Sequence, residues 1–345
     1  MADIARERQL LAAARAGDQR AFELLTAPLR PQLHLLCYRM LGTLDDADDA
    51  VQDTLVRAWR AIARFEPRAQ LQTWLFRIAT NVSLTTLAQR GRRREEQRLD
   101  PFPDRLLDEL TPEALAVERE WVELAFVAAV QLLPPRQRAV LLLRDVLGWS
   151  AREVSEQLGA SVASVNSALQ RARATLARER EGAGLTKRHS PPPNAVEREL
   201  VHRFVTAWEA TDIKGLVQLL AEDALLTMPP LPLRVTGRDS IGEFLRTRPA
   251  GGSLDRFRLV ETGANLRPAV ALYLDGDAHA LMALGLAADR IVALTRFGVP
   301  DLLPRFGLPM TYAEVAGYTS ETRRRSPLEE GSGEGEHGEV SAGGL

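Results

Sequence analysis

Apolar residues recur every three or four positions along most of the first 180 residues, and this spacing predicts helices. Few prolines or glycines interrupt the pattern between Phe22 and Arg90, so we expect a helical bundle there. The pattern breaks over residues 92–112, whose charged and proline-containing sequence predicts an extended connector. Helical spacing then resumes over residues 118–180.

A second break, over residues 181–194, contains three consecutive prolines and marks another linker. An amphipathic helix carrying Leu200, Phe204, Val205 and Trp208 follows it. Short β-like runs, among them AVALYL and RIVALTRFG, then succeed one another at close intervals. A helix followed by such strands predicts an α+β domain, whereas the Gly-, Ser- and Glu-rich residues 319–345 predict a disordered tail.

Residues 150–176 have the pattern of a helix-turn-helix. Ser150 and Glu153 have the spacing of a capping box, Gly159 suits the end of the first helix, and Ser161 suits the start of the second. Polar residues able to contact bases and phosphates share the outer side of the second helix. They are Ser164, Asn166, Ser167, Gln170 and Arg171. An ordinary amphipathic hairpin with a solvated face is the alternative.

Two earlier helices are strongly patterned. In the helix over residues 43–62, Val51, Leu55, Trp59 and Ile62 are expected to face the core. The opposite face is charged and is either simply solvated or bound by a protein partner. It comprises Asp49, Gln52, Asp53, Arg57 and Arg60.

The next helix, LQTWLFRIATNVSLTTLAQRGRRR, predicts a core stripe of Trp74, Ile78, Val82 and Thr85. Its polar flank and terminal arginines would suit contacts to phosphates and bases, although a charged helix end entering a linker is equally compatible with the pattern. A loop that starts at Phe65 precedes the helix and is well placed for contacts to a displaced base.

Composition narrows these alternatives. The net charge of −2 indicates that any nucleic-acid surface is local. The single cysteine, Cys37, excludes an intrachain disulfide, and with His34 as its only near neighbour it does not predict a metal site. We expect no cofactor. The sequence has neither a signal-peptide pattern nor a long apolar stretch, so we expect a cytoplasmic protein with no membrane contact.

Three segments together resemble the conserved regions of extracytoplasmic-function (ECF) RNA polymerase sigma factors: DADDAVQDTLVRAWRAI, TWLFRIATNVSL, and the stretch from LPPRQRAV to RARATL. The resemblance implies that the charged helix face binds the clamp of the polymerase β′ subunit, and that the helix-turn-helix reads the minus-thirty-five element beside the β flap. It also implies that the second patterned helix and its preceding loop read and melt the minus-ten element. The residues so implied are Phe65, Arg68, Trp74, Arg77, Thr80, Asn81, Arg90, Arg92 and Arg93.

The third region resembles the SnoaL-like, nuclear-transport-factor-2-like domain attached to one subgroup of these sigma factors, through VTAWEATDIKGLVQLLAEDALL, LRPAVALYLDG and RFGLP. That resemblance implies a cone-shaped α+β domain that modulates activity in cis, through an intramolecular contact or a small-molecule ligand. Candidate pocket-lining residues are Phe204, Trp208, Met228, Tyr273 and Phe297. Asp223, His202 and His279 are available for catalysis, but no spacing marks any of them as a base, so we expect no enzyme.

The expected fold class is therefore multidomain, with all-α region 2 and region 4 domains followed by an α+β cone. The predicted boundaries are 8–94 for region 2, 95–117 for a linker, 118–181 for region 4, 182–195 for a second linker and 196–312 for the cone. The expected function is that of an alternative sigma factor. Two alternatives remain: a helix-turn-helix regulator independent of polymerase, and a ligand-sensing or enzymatic domain with a DNA-binding output.

Overall fold

The computed structural model of the chain describes residues 2–66, 70–93, 99–110, 115, 121, 123–182 and 195–315. Its first part is helical: α1 Ala2–Arg15, α2 Gln19–Thr26, α3 Arg30–Leu41, α4 Leu44–Ala61 and α5 Leu71–Arg93. Short 3₁₀ turns at Ala27–Leu29 and Ile62–Arg64 join some of these helices. Because Gly42 has a positive φ of 89°, it ends α3 and lets the chain turn directly into α4.

The buried sides of α4 and α5 differ from the predicted ones. The core side of α4 consists mainly of small residues, including Ala47, Ala50, Thr54 and Ala58, while the larger Val51, Leu55 and Trp59 are only partly buried. The prediction favoured large apolar side chains, but close packing of α4 against α3 and α5 needs small ones. In α5 the fully buried positions include Leu75, Phe76 and Ala79, rather than Trp74 and Ile78.

A second helical group follows the connector: α6 Leu124–Gln131, α7 Pro135–Leu141, a π turn at Leu142–Val146, α8 Ala151–Leu158 and α9 Val162–Gly182. The predicted helix-turn-helix is confirmed as α8 and α9. Ser150 and Glu153 form the capping box, Gly159 ends α8 at a φ of 58°, and the Ser164 amide donates to Ser161 Oγ over 3.1 Å.

Arg138 of α7 joins the two helical groups. Its buried guanidinium donates to the carbonyls of Met40, Gln131 and Leu133, and to the side-chain oxygen of Gln131. Gln131 in turn donates to the carbonyl of Arg39 over 2.9 Å. Because the carbonyls of residues 39 and 40 lie at the negative end of α3, a cation is favoured there. Burial nevertheless lowers the pKa of Arg138 to about 10.

The described part of the connector, residues 99–110, is packed against both halves of the molecule. Phe102 and Leu107 are buried, and Asp104–Leu106 forms a 3₁₀ turn. The Asp100 amide donates to the Gly42 carbonyl, and the Asp100 carboxylate accepts from the Leu44 amide at the start of α4. The prediction of an extended connector is wrong for these residues, because the apolar side chains of the segment enter the core.

The C-terminal part is α+β, as predicted. It contains α10 Ala195–Glu209, α11 Ile213–Leu219, α12 Arg238–Thr247 and the strands β1 Leu220–Met228, β2 Leu231–Thr236, β3 Phe257–Ala264, β4 Arg267–Leu274, β5 Asp277–Ala287 and β6 Arg290–Phe297. Further 3₁₀ turns lie at Pro249–Gly252, Leu254–Arg256 and Pro300–Phe306. One six-stranded sheet has the order β2-β1-β6-β5-β4-β3, in which only the β1–β6 pair is parallel.

The two sides of this sheet face different cores. Val270, Leu272 and Met282 pack against α10, α11 and α12 on the helix-facing side. Ala271, Leu281 and Tyr273 lie on the opposite side and join the core of the helical part of the chain, together with residues of Pro300–Phe306. The C-terminal domain is thus packed directly onto the connector and the first helices.

Candidate functional site

The outer side of α9 is open. Ser164, Asn166, Ser167, Gln170 and Arg171 are all exposed, as predicted. Within the described residues, their side chains make no hydrogen bond or ion pair with another part of the chain. Buried Val165, Ala168 and Leu169 hold the inner side of the helix, so the polar side chains are presented on a rigid support.

The polar flank of α5 is covered in part by the helix-turn-helix. Gln157 of α8 donates to Asn81 Oδ1 over 3.0 Å and to the Arg77 carbonyl over 2.9 Å. The Arg77 guanidinium lies 5.8 Å from the ring centroid of Trp149, a cation–π distance. In this arrangement two of the candidate minus-ten residues already have protein partners.

Two candidate minus-ten residues are buried, and their prediction as DNA contacts is corrected. Thr80 is fully buried, and its hydroxyl donates to the Phe76 carbonyl over 2.8 Å. Phe65 is 5% exposed and packs against Trp74 with 4.9 Å between ring centroids. Both side chains pack the helix and its preceding turn into the core, so they are no longer candidates for base contacts in this arrangement.

Arg90 also points inward. It donates to the Leu41 carbonyl over 3.1 Å and forms an ion pair with Asp46 at the start of α4. The expected phosphate contact is therefore replaced by a bond that ties the end of α5 to the α3–α4 turn. Arg68 lies outside the described residues, as do the side chains of Arg92 and Arg93, although α5 itself extends to Arg93.

The charged side of α4 is presented to solvent. Asp49, Gln52, Arg57 and Arg60 are exposed, and Asp53 is partly exposed. Arg57 and Asp53 form an i,i+4 ion pair with 2.7 Å between Nη2 and Oδ2. Such exposed pairs contribute little to stability, about 0.3–0.5 kcal/mol, so this pair does little to hold α4 in the fold.

The first turn of α4 is bound by the C-terminal domain, which the sequence did not predict. Arg305 forms ion pairs with Asp45, at 3.3 Å, and with Asp48. His34 of α3 lies 2.9 Å from the same Asp48 carboxylate. Hydrogen bonds from His34 and Arg305 lower the pKa of Asp48. The only available signal was the excess of aspartates in this turn.

The turn between β3 and β4 attaches the C-terminal domain to the connector. The backbone N–H of Asn265 donates to the Phe102 carbonyl over 2.8 Å, and the backbone N–H of Phe102 donates to the Asn265 side-chain oxygen over 2.9 Å. The Asn265 side chain also reaches the hydroxyl of Tyr38, which donates to the Asp100 carbonyl. Asn265 is fully buried and has a φ of 55°, a conformation that asparagine tolerates well.

Asp104 strengthens the same contact. Its carboxyl accepts from the Leu266 amide over 2.7 Å. A Cβ atom on Gly263 would lie 2.3 Å from Asp104 Oδ2, so any larger residue at that position would displace the Asp104 side chain. Burial is the main cause that raises the pKa of Asp104, to about 7, and the nearby Asp108 adds to it. The sequence did not predict the contact between Asp104 and Leu266, because neither residue belongs to a recognisable motif.

The candidate pocket-lining residues divide between the two sides of the sheet. Phe204 and Trp208 are buried on the helix-facing side, with Met228 packed beside that core. Tyr273 lies on the opposite side, where its hydroxyl donates to the Pro309 carbonyl over 2.9 Å. Phe297 pairs in register with Leu281 and therefore also lies on that side. The prediction that these five residues share one pocket is wrong, because strand alternation separates them.

The candidate acid–base residues do not form a catalytic group. Asp223 and His202 are exposed on the surface. His279 is partly buried and contacts Arg296 rather than either of them. Within the described residues, no cluster of histidine, cysteine and carboxylate side chains could hold a metal ion. The helices described include none that is long and apolar enough to cross a membrane.

Comparison with protein families agrees with this division of the chain. The model of sigma-70 region 2 matches residues 25–93, and that of sigma-70 region 4 matches residues 123–176. The model of the SnoaL-like domain matches residues 201–283.

Individual relatives extend the agreement. The ECF RNA polymerase sigma factor SigG of Mycobacterium tuberculosis is 42% identical over 319 residues, covering 86% of this chain and 85% of the relative. SigM of the same organism is 35% identical over 170 residues, covering 49% of this chain and 82% of SigM. The crystal structure of M. tuberculosis SigJ matches with a TM-score of 0.57 at 24% identity, covering 82% of this chain and 98% of SigJ, and therefore supports the fold.

Proposed function

Since this chain belongs to the ECF RNA polymerase sigma factors, we propose how its surfaces divide the steps of transcription initiation. As an alternative sigma factor it binds RNA polymerase and recognises promoter DNA. Its relatives are transcription factors, and our proposal gives the C-terminal domain no catalytic role.

The charged side of α4 binds the clamp of the polymerase β′ subunit. The observation that carries this assignment is that Asp49, Gln52, Arg57 and Arg60 are exposed together on one side of a well-packed helix. Alternating acidic and basic groups on a rigid support suit a partner helix that carries the complementary charges. The open side of α9 reads the minus-thirty-five element, while the helix-turn-helix as a whole lies beside the β flap.

The minus-ten element is read from α5 by Trp74, Arg77 and Asn81, with Arg68, Arg92 and Arg93 as further phosphate contacts. The covering of Asn81 and Arg77 by α8 supports a second proposal, that the arrangement described here restrains promoter melting. Displacement of α8 from α5 would then precede the opening of DNA.

The C-terminal domain stabilises, in cis, the arrangement in which α8 covers part of α5. It contacts the connector through Asn265, which bonds to Phe102, and through the Leu266 amide, which donates to Asp104; it binds the first turn of α4 through Arg305. Both contacts lie on segments that join or border the two DNA-reading parts. A domain that holds the connector in one conformation limits the separation of regions 2 and 4.

A double charge reversal tests the assignment of α4. Asp53→Lys combined with Arg60→Glu is expected to weaken binding to core polymerase at least tenfold, because both side chains would repel the groups that now attract them. The matched control is Glu243→Lys with Arg246→Glu, another exposed ion pair, which lies on α12 of the C-terminal domain. Equal core binding by the two double variants, measured without DNA, would disprove the assignment.

A further inference from the structure

The turn that joins β3 to β4 has an uncommon backbone conformation. Its two central residues, Asn265 and Leu266, both have a positive φ, of 55° and 58°. Two-residue hairpin turns of this kind strongly favour glycine at the second position, because other side chains are strained there. Leucine at that position costs conformational free energy, so contacts from outside the hairpin must offset the cost.

The connector and the helical core provide those contacts. Leu266 packs against the core of the helical part, and its amide donates to Asp104 Oδ1 over 2.7 Å. Pro103, the neighbour of Asp104, forms a β-bridge with Ala264 at the end of β3. The contacts that offset the strain therefore exist only while the turn is docked on the connector. Separation would let Leu266 relax, so the docked and undocked forms are two distinct states of the turn.

Asp104 is a carboxylic acid in a contact that is otherwise made by neutral groups. Within the part of the chain that the structure describes, no lysine or arginine forms an ion pair with it. Arg105 of the same 3₁₀ turn donates instead to the carbonyls of Pro304 and Arg305. Arg267, which follows the β3–β4 turn, pairs with Glu123 over 3.3 Å. The neighbouring positive charges are thus committed to other partners.

Ionisation of Asp104 is therefore unfavourable in the docked form. Its Oδ2 lies against the backbone of Gly263 and accepts no hydrogen bond from the described residues. Burial, and to a smaller extent the charge of Asp108 on the same segment, raise the pKa of Asp104 from 3.8 to about 7. Between these two values the docked form binds more protons than a hydrated, undocked form. Its stability consequently falls as pH rises toward 7 and levels off above it.

We propose that the docking of the β3–β4 turn on the connector is a pH-sensitive latch, closed by a proton on Asp104. Acidification keeps the C-terminal domain on the connector, and a rise toward neutral pH releases the turn by local opening. The strain at Leu266 makes opening a discrete event, and the carboxyl group makes it respond to protons. The latch is independent of the assigned polymerase and DNA contacts, whereas its effect on transcription rests on the restraint proposed for the C-terminal domain.

Hydrogen exchange of the full-length chain between pH 5 and pH 8 tests the latch. After correction for the intrinsic pH dependence of exchange, the amides of Asn265 and Leu266 should open about tenfold or more often at pH 7 than at pH 5, with little further increase above pH 7. The amide of Leu272, inside β4 and between two paired strands, should exchange more slowly at every pH. Equal exchange at the three amides would mean that the contact opens only by unfolding, and would overturn the proposal.

Three variants locate the response. Asp104→Asn keeps an acceptor for the Leu266 amide but cannot ionise, so its corrected exchange should be independent of pH. Asp108→Asn removes the like charge and should move the response to lower pH without abolishing it. Glu109→Gln, at an exposed position of the same segment, should behave as the wild type does. The absence of a pH response in the wild type, or the same response in Asp104→Asn, would refute the latch.

Transcription assays at pH 6 and pH 8 connect the latch to the proposed function. The wild type should give more transcript than Asp104→Asn, and the ratio of the two outputs should be larger at pH 8, because Asp104→Asn stays docked. The ratio corrects for the pH dependence of the polymerase itself. A constant ratio beside amides that respond to pH would refute the restraint of transcription by the C-terminal domain, while the latch would stand.

Discussion

Two helices carry the candidate DNA-reading residues, and their surroundings differ. The outer side of α9 is exposed, and its polar side chains have no partner within the described residues. On α5, Asn81 and Arg77 are contacted by Gln157 and Trp149, Arg90 is tied to Asp46, and Thr80 is buried. One reading surface is therefore open, while the other is held by the rest of the chain.

This difference suggests a division between finding a promoter and opening it. Duplex DNA can reach α9 without any rearrangement of the protein. Under the proposed function, contacts from α5 to unpaired bases would require that α8 first separate from it. The groups that oppose this separation are Arg138 between the helical parts and Asn265 between the connector and the sheet. The following variants weaken or isolate these restraints, beginning with the largest expected effect.

Arg138→Met should release region 4 from region 2. The variant leaves the carbonyls of Met40, Gln131 and Leu133 without their buried donor, and each buried acceptor left unpaired costs about 1–3 kcal/mol. The free energy of unfolding in urea measures the effect, and α5 should become more accessible to hydrogen exchange. Arg136→Met, exposed on the same helix, is the control. A loss below 1 kcal/mol would show that Arg138 does not hold the two parts together.

Asn265→Ala should loosen the contact between the sheet and the connector. It removes the acceptor of the Phe102 amide and places alanine at a positive φ, at a combined cost of about 2–4 kcal/mol. Asp275→Ala has a similar positive φ of 53° in an exposed turn, and apart from the loss of its surface ion pair with Arg256 it controls for the backbone effect. If the C-terminal domain restrains the factor, transcription per polymerase-bound molecule should rise in Asn265→Ala only. An unchanged yield would argue against restraint through this turn.

Arg171→Ala should affect DNA binding by the exposed side of α9 without altering the covered side of α5. Loss of a phosphate contact would reduce the salt dependence of minus-thirty-five binding by about one unit, whereas loss of a base contact would relax one promoter position at about 1–3 kcal/mol. Binding of minus-thirty-five duplexes at several salt concentrations separates these results. Stability should remain the same, since Arg171 is exposed. Unaltered affinity at every salt concentration would remove Arg171 from the reading surface.

Asp104→Asn should make the connector contact independent of pH. The pKa of Asp104 is raised from 3.8 to about 7 in the folded chain, so its stabilising neutral form is lost as pH rises through that range. Asparagine retains the acceptor for the Leu266 amide but never ionises. The variant should match the wild type near pH 4 and exceed its unfolding free energy by about 1 kcal/mol or more at pH 8. Asp289→Asn in an exposed turn should show no such difference, and parallel pH profiles for wild type and Asp104→Asn would refute the prediction.

Gln157→Ala should have the smallest effect. It removes two hydrogen bonds to α5 that are partly exposed, so stability should fall by less than about 1 kcal/mol. If α8 blocks Asn81, the variant should bind single-stranded minus-ten DNA severalfold more tightly, as fluorescence anisotropy would show. Ser155→Ala, on the same helix but away from α5, should not. Equal affinity in both variants would mean that α5 is already accessible.

The sequence predicted local structure better than it predicted contacts between distant segments. The capping box at Ser150 and the turn at Gly159 are local chemistry, and the structure confirms both. The buried side of α4 was misjudged because side-chain size, rather than hydrophobicity, decides how closely three helices pack.

Contacts across long sequence separations left no periodic signal. Asn265 meets Phe102 and Arg305 meets Asp48 only because the sheet folds back onto the connector and the first helices. Thr80 was assigned to DNA through the family resemblance, yet its hydroxyl bonds to a carbonyl of its own helix and is buried. The individual roles of the residues on α4, α5 and α9 stay predictions.

Transcription by purified core polymerase tests the central claim most directly. Core enzyme with the full-length chain, supplied with fragmented genomic DNA from the source cell, should produce transcripts whose 5′ ends follow two shared, regularly spaced sequence elements. The Asp53→Lys, Arg60→Glu variant should yield only the background of core enzyme alone. Transcripts that begin at random positions, or equal output from that variant, would contradict the assignment of this chain's surfaces to transcription initiation.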